Sequence, residues 1–206
     1  MRSKEIKRAI DALGPWTQRY EMEGQFTTNL KISGEPVWEE LRRVFYEDLK
    51  DVRILEVESN AGYYSIMLSK EGANVTAVES TRKYYLQSKW TQYFFEQLDN
   101  KKYPVNFINK SIDKLKFKKM GWFEYVFSDS NLGVSETNKE NQRYYIGKLC
   151  DITDKIILRI DKELIGYFNS LFLEHEFYML KRYNGKKFIV LYGRLIKEEN
   201  GWDPIQ

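Results

Sequence analysis

From residue 52 to about residue 175 the chain alternates short apolar runs with stretches of helical periodicity, and this alternation most constrains its fold. The apolar runs are 52–57, 74–79, 105–109, 123–127 and 155–160, and helical patterns cover 63–70, 81–98 and 136–150. Strands that alternate with helices imply parallel neighbours joined by crossovers, which are nearly always right-handed. The ending breaks the pattern. Residues 177–183 and 186–196 flank Asn184-Gly185, the pair best suited to a two-residue hairpin turn. A hairpin closing a parallel sheet makes one strand antiparallel to the rest. The expectation is an α/β fold, a Rossmann-like seven-stranded mixed sheet with a C-terminal antiparallel hairpin, flanked by helices.

Residues 1–50 read as a helical extension or cap ahead of a core at 51–206, the two forming one structural unit. Ile6, Ile10 and Leu13 share a face of a helix at 3–13, which Gly14-Pro15 stops. After a loop at 16–34 a second helix begins at Pro36, a residue suited to a first helical position, with Val37, Leu41, Val44 and Phe45 as its apolar face.

Composition narrows the chemistry. A single His175 and a single Cys150 exclude an intrachain disulfide and any Cys-rich or multi-His metal site. A catalytic triad would have to use His175, which its acidic neighbours Glu174 and Glu176 mark as a surface or capped residue. The formal charge of +3 is too small an excess to argue nucleic-acid binding, and the basic run at 114–119 reads as a solvated face. No apolar run approaches the ~18 residues of a membrane span. The N-terminus lacks the apolar core of a signal peptide, and an unpaired cysteine suits the cytoplasm. A cytoplasmic protein without a membrane segment is expected.

The candidate chemistry lies at strand ends, because ligands of open α/β sheets bind outside the carboxyl edge. The first strand, 52–57, carries Glu56 near its end, and Glu58, Ser59, Asn60, Ala61 and Gly62 form a tight turn towards the next helix. Small residues in such a turn let backbone N–H groups approach a ligand. Glu79 ends the second strand, 23 residues after Glu56. An acid there accepts hydrogen bonds from ribose hydroxyls in nucleoside-binding sheets, while Glu79-Ser-Thr81 also suits a helix cap. Asp129 and Asn131 follow the fourth strand, as a general base with its neighbour or as loop residues in an Asx-turn. Trp16 and Tyr20 either line an acceptor pocket or anchor the extension. The tyrosine pairs at 63–64, 84–85 and 144–145 should each place one ring inward and one outward.

The order of elements, the acid-ended first strand and the terminal hairpin resemble class I S-adenosylmethionine-dependent methyltransferases. Asn60-Ala-Gly-Tyr-Tyr-Ser65 is similar to the turn of the wobble-uridine tRNA methyltransferase-like group, which reads Asp-x-Gly-Cys-Asn-Ala-Gly-Phe-Tyr-Ser. Leu13-Gly-Pro-Trp-Thr-Gln18, Phe123-Glu-Tyr-Val126 and Leu132-Gly-Val134 resemble further segments of that group. The resemblance implies S-adenosylmethionine as cofactor, with Glu56, Glu58, Asn60, Gly62, Glu79 and Ile112 as binding residues. It implies methyl transfer, and a chain this short and nearly neutral for a tRNA enzyme favours a small-molecule acceptor, a hydroxylated metabolite or sugar, over nucleic acid. A non-catalytic binding protein of the same fold and a tRNA-modifying enzyme stay open as alternatives.

The turn is degenerate. Glu58 stands where the group has its first glycine, Ser59 replaces its cysteine, and Ser135-Glu136-Thr137 occupies the place of its histidine. A carboxylate at position 58 would repel the cofactor's carboxylate and attract its ammonium and sulfonium. At an effective dielectric near 20, a contact at about 4 Å is worth about 4 kcal/mol before desolvation, and the sequence leaves its sign open.

Overall fold

A computed structural model describes residues 3–29, 33–45, 48–130, 132, 139–184, 187–194, 196–198 and 201–203. In chain order the elements are α1 (Ser3–Leu13), β1 (Glu21–Met22), β2 (Gln25–Phe26), α2 (Glu35–Arg42), β3 (Arg53–Val57), α3 (Tyr63–Lys70), β4 (Asn74–Glu79), α4 (Arg82–Asp99) and β5 (Asn106–Asn109). They continue with α5 (Phe117–Met120), β6 (Tyr125–Ser128), α6 (Lys139–Cys150), β7 (Lys155–Ile160), α7 (Ile165–Leu173), β8 (Phe177–Asn184), β9 (Phe188–Arg194), β10 (Ile196–Glu198) and β11 (Gly201–Asp203). Seven strands form one sheet in the order β5-β4-β3-β6-β7-β9-β8. β4 and β5, β3 and β6, and β6 and β7 pair in parallel, while β9 runs antiparallel to β7 and to β8. The expected mixed sheet and its closing hairpin are therefore present, and the turn residue Gly185 lies outside the described residues. Among the described residues no helix is long and apolar enough to cross a membrane.

Contacts group the chain into two compact units, residues 1–52 with 58–112, and residues 53–57 with 113–206. Within the first unit the N-terminal segment packs on α3 and α4. Trp16 donates its indole N–H to Ile10 O at 2.8 Å, and the buried amide of Gln87 in α4 donates to Leu13 O at 2.7 Å and Pro15 O at 2.9 Å. The buried stripe of α4 is Gln87, Ser88, Thr91, Phe94 and Phe95, polar in its first half and aromatic in its second. β1 and β2 form a two-residue ladder inside the expected loop.

Both Tyr63 and Tyr64 are buried, so the expected split of that pair is wrong. Tyr63 stacks on Tyr20 with ring centroids 4.9 Å apart, and Tyr64 accepts the Gly34 N–H at 2.8 Å. The N-terminal segment thus covers a helix face that the pattern alone leaves to water. The outer pair follows expectation, with Tyr144 exposed and Tyr145 half-buried.

In the second unit β3, β6 and β7 are nearly continuous apolar runs, as strands buried on both faces must be. β8 is the edge strand. Its ladder slips between Met179 and Lys181, and Lys181 and Arg182 are exposed, devices that discourage further strand pairing.

Candidate functional site

The turn from β3 to α3 is built on left-handed backbone at alternate residues: Glu58 at φ 58°, Asn60 at φ 54° and Gly62 at φ 75°. Only Gly62 adopts this without cost, since a Cβ in that region adds roughly 1–2 kcal/mol of strain. The need for glycine at 62 is also steric. A Cβ there would lie 2.7 Å from Ser88 Cβ and 2.8 Å from Phe107 Cε1, so the glycine serves the packing of α3 against α4 and β5. Asparagine tolerates the left-handed region because its short amide bonds locally. Asn60 Oδ1 accepts the Ala61 N–H at 2.8 Å and the Thr17 hydroxyl at 2.7 Å.

The turn consumes its own donors. Ser59 N–H goes to Val78 O at 3.0 Å, Asn60 N–H to Glu79 Oε2 at 2.8 Å, and Ala61 N–H to Asn60 Oδ1 at 2.8 Å. Gly62 N–H goes to Ser59 O at 3.0 Å, and Tyr63 N–H to Gln18 Oε1 at 3.1 Å. Five successive N–H groups therefore have acceptors within the protein. This departs from the expectation that N–H groups of the turn are offered to a ligand. The first turn of α3, an anion site when its N–H groups are open, is closed at Tyr63 by Gln18. The side chains added by the turn and by the end of β4 are acidic, namely Glu58 and Glu79, while the Ser59 hydroxyl, fully buried, finds no hydrogen-bond partner among the described residues.

Glu79 makes the contact expected at the entry to α4. Oε1 accepts the Thr81 N–H at 2.7 Å, capping the entry to α4, and Oε2 holds the turn through Asn60. A carboxylate offers about four lone-pair sites, so two bonds leave capacity for ribose hydroxyls. Across the ladder from Glu79 sits Asn109, whose amide donates to Glu79 O at 2.8 Å and Ser80 O at 3.1 Å. Ile112 lies three residues beyond β5, half-buried at the start of a 3-10 turn at Ile112–Lys114. Glu56 is the buried fourth residue of β3, at 1% exposure, and belongs to the second unit.

Trp16 and Tyr20 are buried, at 3% and 1% exposure, and their contacts are those of anchors. Tyr20 pairs with Thr91, which lies 2.7 Å from Ala61 O and 2.9 Å from Gln87 O. Thr91 has one proton and gives it to one of those carbonyls, so the Tyr20 O–H donates to Thr91 Oγ1. Burial, followed by the charge of Tyr63's own neighbours Glu35 and Glu39, holds the Tyr63 hydroxyl protonated far above its ordinary range. Thr17, Gln18 and Thr91, which bind the extension to the turn, and Gln87, which binds it to α4, were not foreseen. Polar residues at helix-face spacing on α4 were the available signal.

Asp129 lies in the second unit, where its Oδ1 accepts a hydrogen bond from Arg159 Nη1 at 2.6 Å, with both side chains under one-tenth exposed. This buried ion pair is a contact that neither expected role, general base or loop Asx-turn, had included. A charged residue inside the apolar run of β7 was the clue, since a buried guanidinium requires a partner. Asn131 and the segment Gly133–Thr137 of the resemblance lie outside the described residues. His175 is half-buried with its ring against Gly147, a packing position. A cavity of about 360 Å³ lined by Phe117, Lys118, Gly121, Trp122, Lys148, Asp151 and Ile152 sits before the amino ends of β6 and β7, away from the carboxyl edge where sheet ligands bind.

No protein-family model matches the chain, and no curated protein sequence matches it. Solved structures do. Magnesium protoporphyrin IX methyltransferase from Synechocystis PCC 6803 superposes with a TM-score of 0.64 at 13% identity, over 93% of this chain and 92% of that one. The N-terminal domain of EvdMO1 gives a TM-score of 0.66 at 16% identity, over 94% and 97%. Ribosomal protein L11 methylase from Lactobacillus delbrueckii subsp. bulgaricus gives 0.60 at 15% identity, over 78% and 80%. The chain has the Rossmann-like fold of the class I methyltransferases.

Proposed function

We propose that the chain binds S-adenosylmethionine at the β3–α3 turn and transfers its methyl group to a small hydroxylated metabolite or sugar. The observation that carries this reading is the donor-exhausted, acidic turn. A dinucleotide or nucleotide needs open N–H groups for its phosphates, and here residues 59–63 have none to give. S-adenosylmethionine has no phosphate, carries a ribose for Glu79 and bears an ammonium and a sulfonium against a single carboxylate, a net positive charge that suits the acidic residues present. Two of the similar structures hold that cofactor or its demethylated product, and EvdMO1 was also crystallised in the presence of D-fucose.

When bound, the cofactor supplies an activated methyl group for in-line displacement. The chain's own contribution is alignment, worth up to about 7–11 kcal/mol in good geometry. The rigid turn, tied to the extension by Thr17 and Gln18 and to β4 by Glu79, suits that task.

The Asp129–Arg159 pair favours a second reading, in which the fold binds cofactor without transfer, because the carboxylate placed after β6 is already engaged. Incubation with S-adenosylmethionine and a panel of sugars, followed by chromatographic detection of S-adenosylhomocysteine, separates the two. Acceptor-dependent product supports transfer. Bound cofactor with no product from any acceptor supports the second reading and defeats the first. Binding of tRNA that weakens steeply with salt would point instead to a nucleic-acid acceptor.

A further inference from the structure

The turn keeps a glutamate where its backbone favours glycine. Glu58 sits at φ 58°, half-buried, directly after the carboxyl end of β3. Strained backbone at a strand end persists where the surrounding structure enforces it, and such positions cluster at ligand sites. Three features of the same turn bear on what Glu58 could recognise. The N–H groups of residues 59–63 are satisfied internally, so the backbone there has no donors to offer an anion. The adjoining Ser59 hydroxyl is fully buried and has no hydrogen-bond partner among the described residues. A second carboxylate, Glu79, is bonded to the backbone of residue 60, which places negative charge on both sides of the turn's sequence.

We infer that Glu58 makes this site selective for the positive charge of a sulfonium, so that the cofactor is held in preference to its neutral demethylated product. The inference rests on the proposed binding of S-adenosylmethionine at this turn. On transfer, a lone pair of the acceptor hydroxyl oxygen forms the bond to the methyl carbon, the carbon–sulfur bond breaks with its electron pair staying on sulfur, and the hydroxyl proton passes to solvent. The sulfur goes from a charge of plus one to zero, while the ammonium, the carboxylate and the nucleoside are unchanged. The difference in affinity between the two ligands therefore isolates recognition of the sulfonium. A carboxylate in a half-buried turn acts through a lower effective dielectric than one in water, which is where one charge can change an equilibrium severalfold. Weaker retention of product follows, and with it faster turnover under product.

The test is titration calorimetry of the full chain with S-adenosylmethionine and with S-adenosylhomocysteine, for the wild type, Glu58→Gln and Glu58→Gly. Glutamine preserves the shape, and glycine suits the left-handed backbone, so at least one variant retains the turn. The wild type is expected to favour the sulfonium ligand by about tenfold or more, and both variants to bring the ratio to within about threefold of unity, chiefly by weakening the sulfonium ligand. Binding of both ligands with a ratio that neither variant alters overturns the inference and leaves the cofactor site standing. Binding of neither ligand by the wild type overturns the inference together with the cofactor reading.

Discussion

Replacing Gly62 by alanine tests the account of the turn through stability alone. Two costs act together. The φ of 75° puts an alanine Cβ in the left-handed region, at roughly 1–2 kcal/mol. The same Cβ would stand 2.7 Å from Ser88 Cβ and under 3 Å from two ring carbons of Phe107. Ser88 is fully buried on α4 and its Cβ is tied to the helix backbone, so it cannot swing away. Overpacking of this kind costs about 1–3 kcal/mol. The sum, about 2–5 kcal/mol, is a large part of the roughly 5–15 kcal/mol that hold a domain folded. With a urea dependence of about 1–3 kcal/mol per molar, Gly62→Ala should lower the unfolding midpoint by about 1–2 M, followed by circular dichroism. A midpoint within about 0.3 M of the wild type would refute both the packing and the backbone argument.

Other consequences can be measured directly. Asp129→Ala removes the carboxylate that faces the buried Arg159 guanidinium, which should cost about 3–5 kcal/mol in urea denaturation, while replacing both partners by leucine should recover most of the loss. Gln18→Ala removes the acceptor of the Tyr63 N–H, with an expected loss of about 1–2 kcal/mol and faster hydrogen exchange at that amide. Burial pushes the Cys150 thiol up to about 12. The folded state therefore favours the neutral thiol, and its contribution is complete below the unfolded value near 8.5. It is lost as pH rises from there towards 12, at about 1.4 kcal/mol per pH unit for this one group, so Cys150→Ala should flatten the alkaline fall in stability. A native thiol that reacts with an aromatic disulfide reagent at pH 8 as fast as the urea-unfolded chain would contradict that burial.

Periodicity carried most of the fold because the core strands are apolar enough to leave no second register. β4 and β7 have the expected limits at Asn74–Glu79 and Lys155–Ile160, and α3 runs from Tyr63 to Lys70 as its spacing and the following Glu71-Gly72 imply. The two-residue ladder of β1 and β2 and the single turn of α5 are too short to show a period. β10 and β11 pair through three residues each and left no hydrophobic alternation to read. At the site, the strand-end acids and the glycine were legible from position. Their partners were not, because Thr17 and Gln18 reach the turn across more than 40 residues of sequence. The same limit hid the role of Arg159, whose charge in β7 meets Asp129 on the neighbouring connection. Tyr63 and Tyr64 failed as a pair because a helix face is outward only until another segment covers it.

The central claim is that a turn with its donors satisfied and its side chains acidic receives a phosphate-free cationic nucleoside. Titration calorimetry of the wild-type chain with S-adenosylmethionine and, separately, with NAD tests it most directly. The account predicts saturable heat from S-adenosylmethionine and none from NAD at millimolar ligand. Silence from S-adenosylmethionine, or tighter binding of NAD, would contradict it.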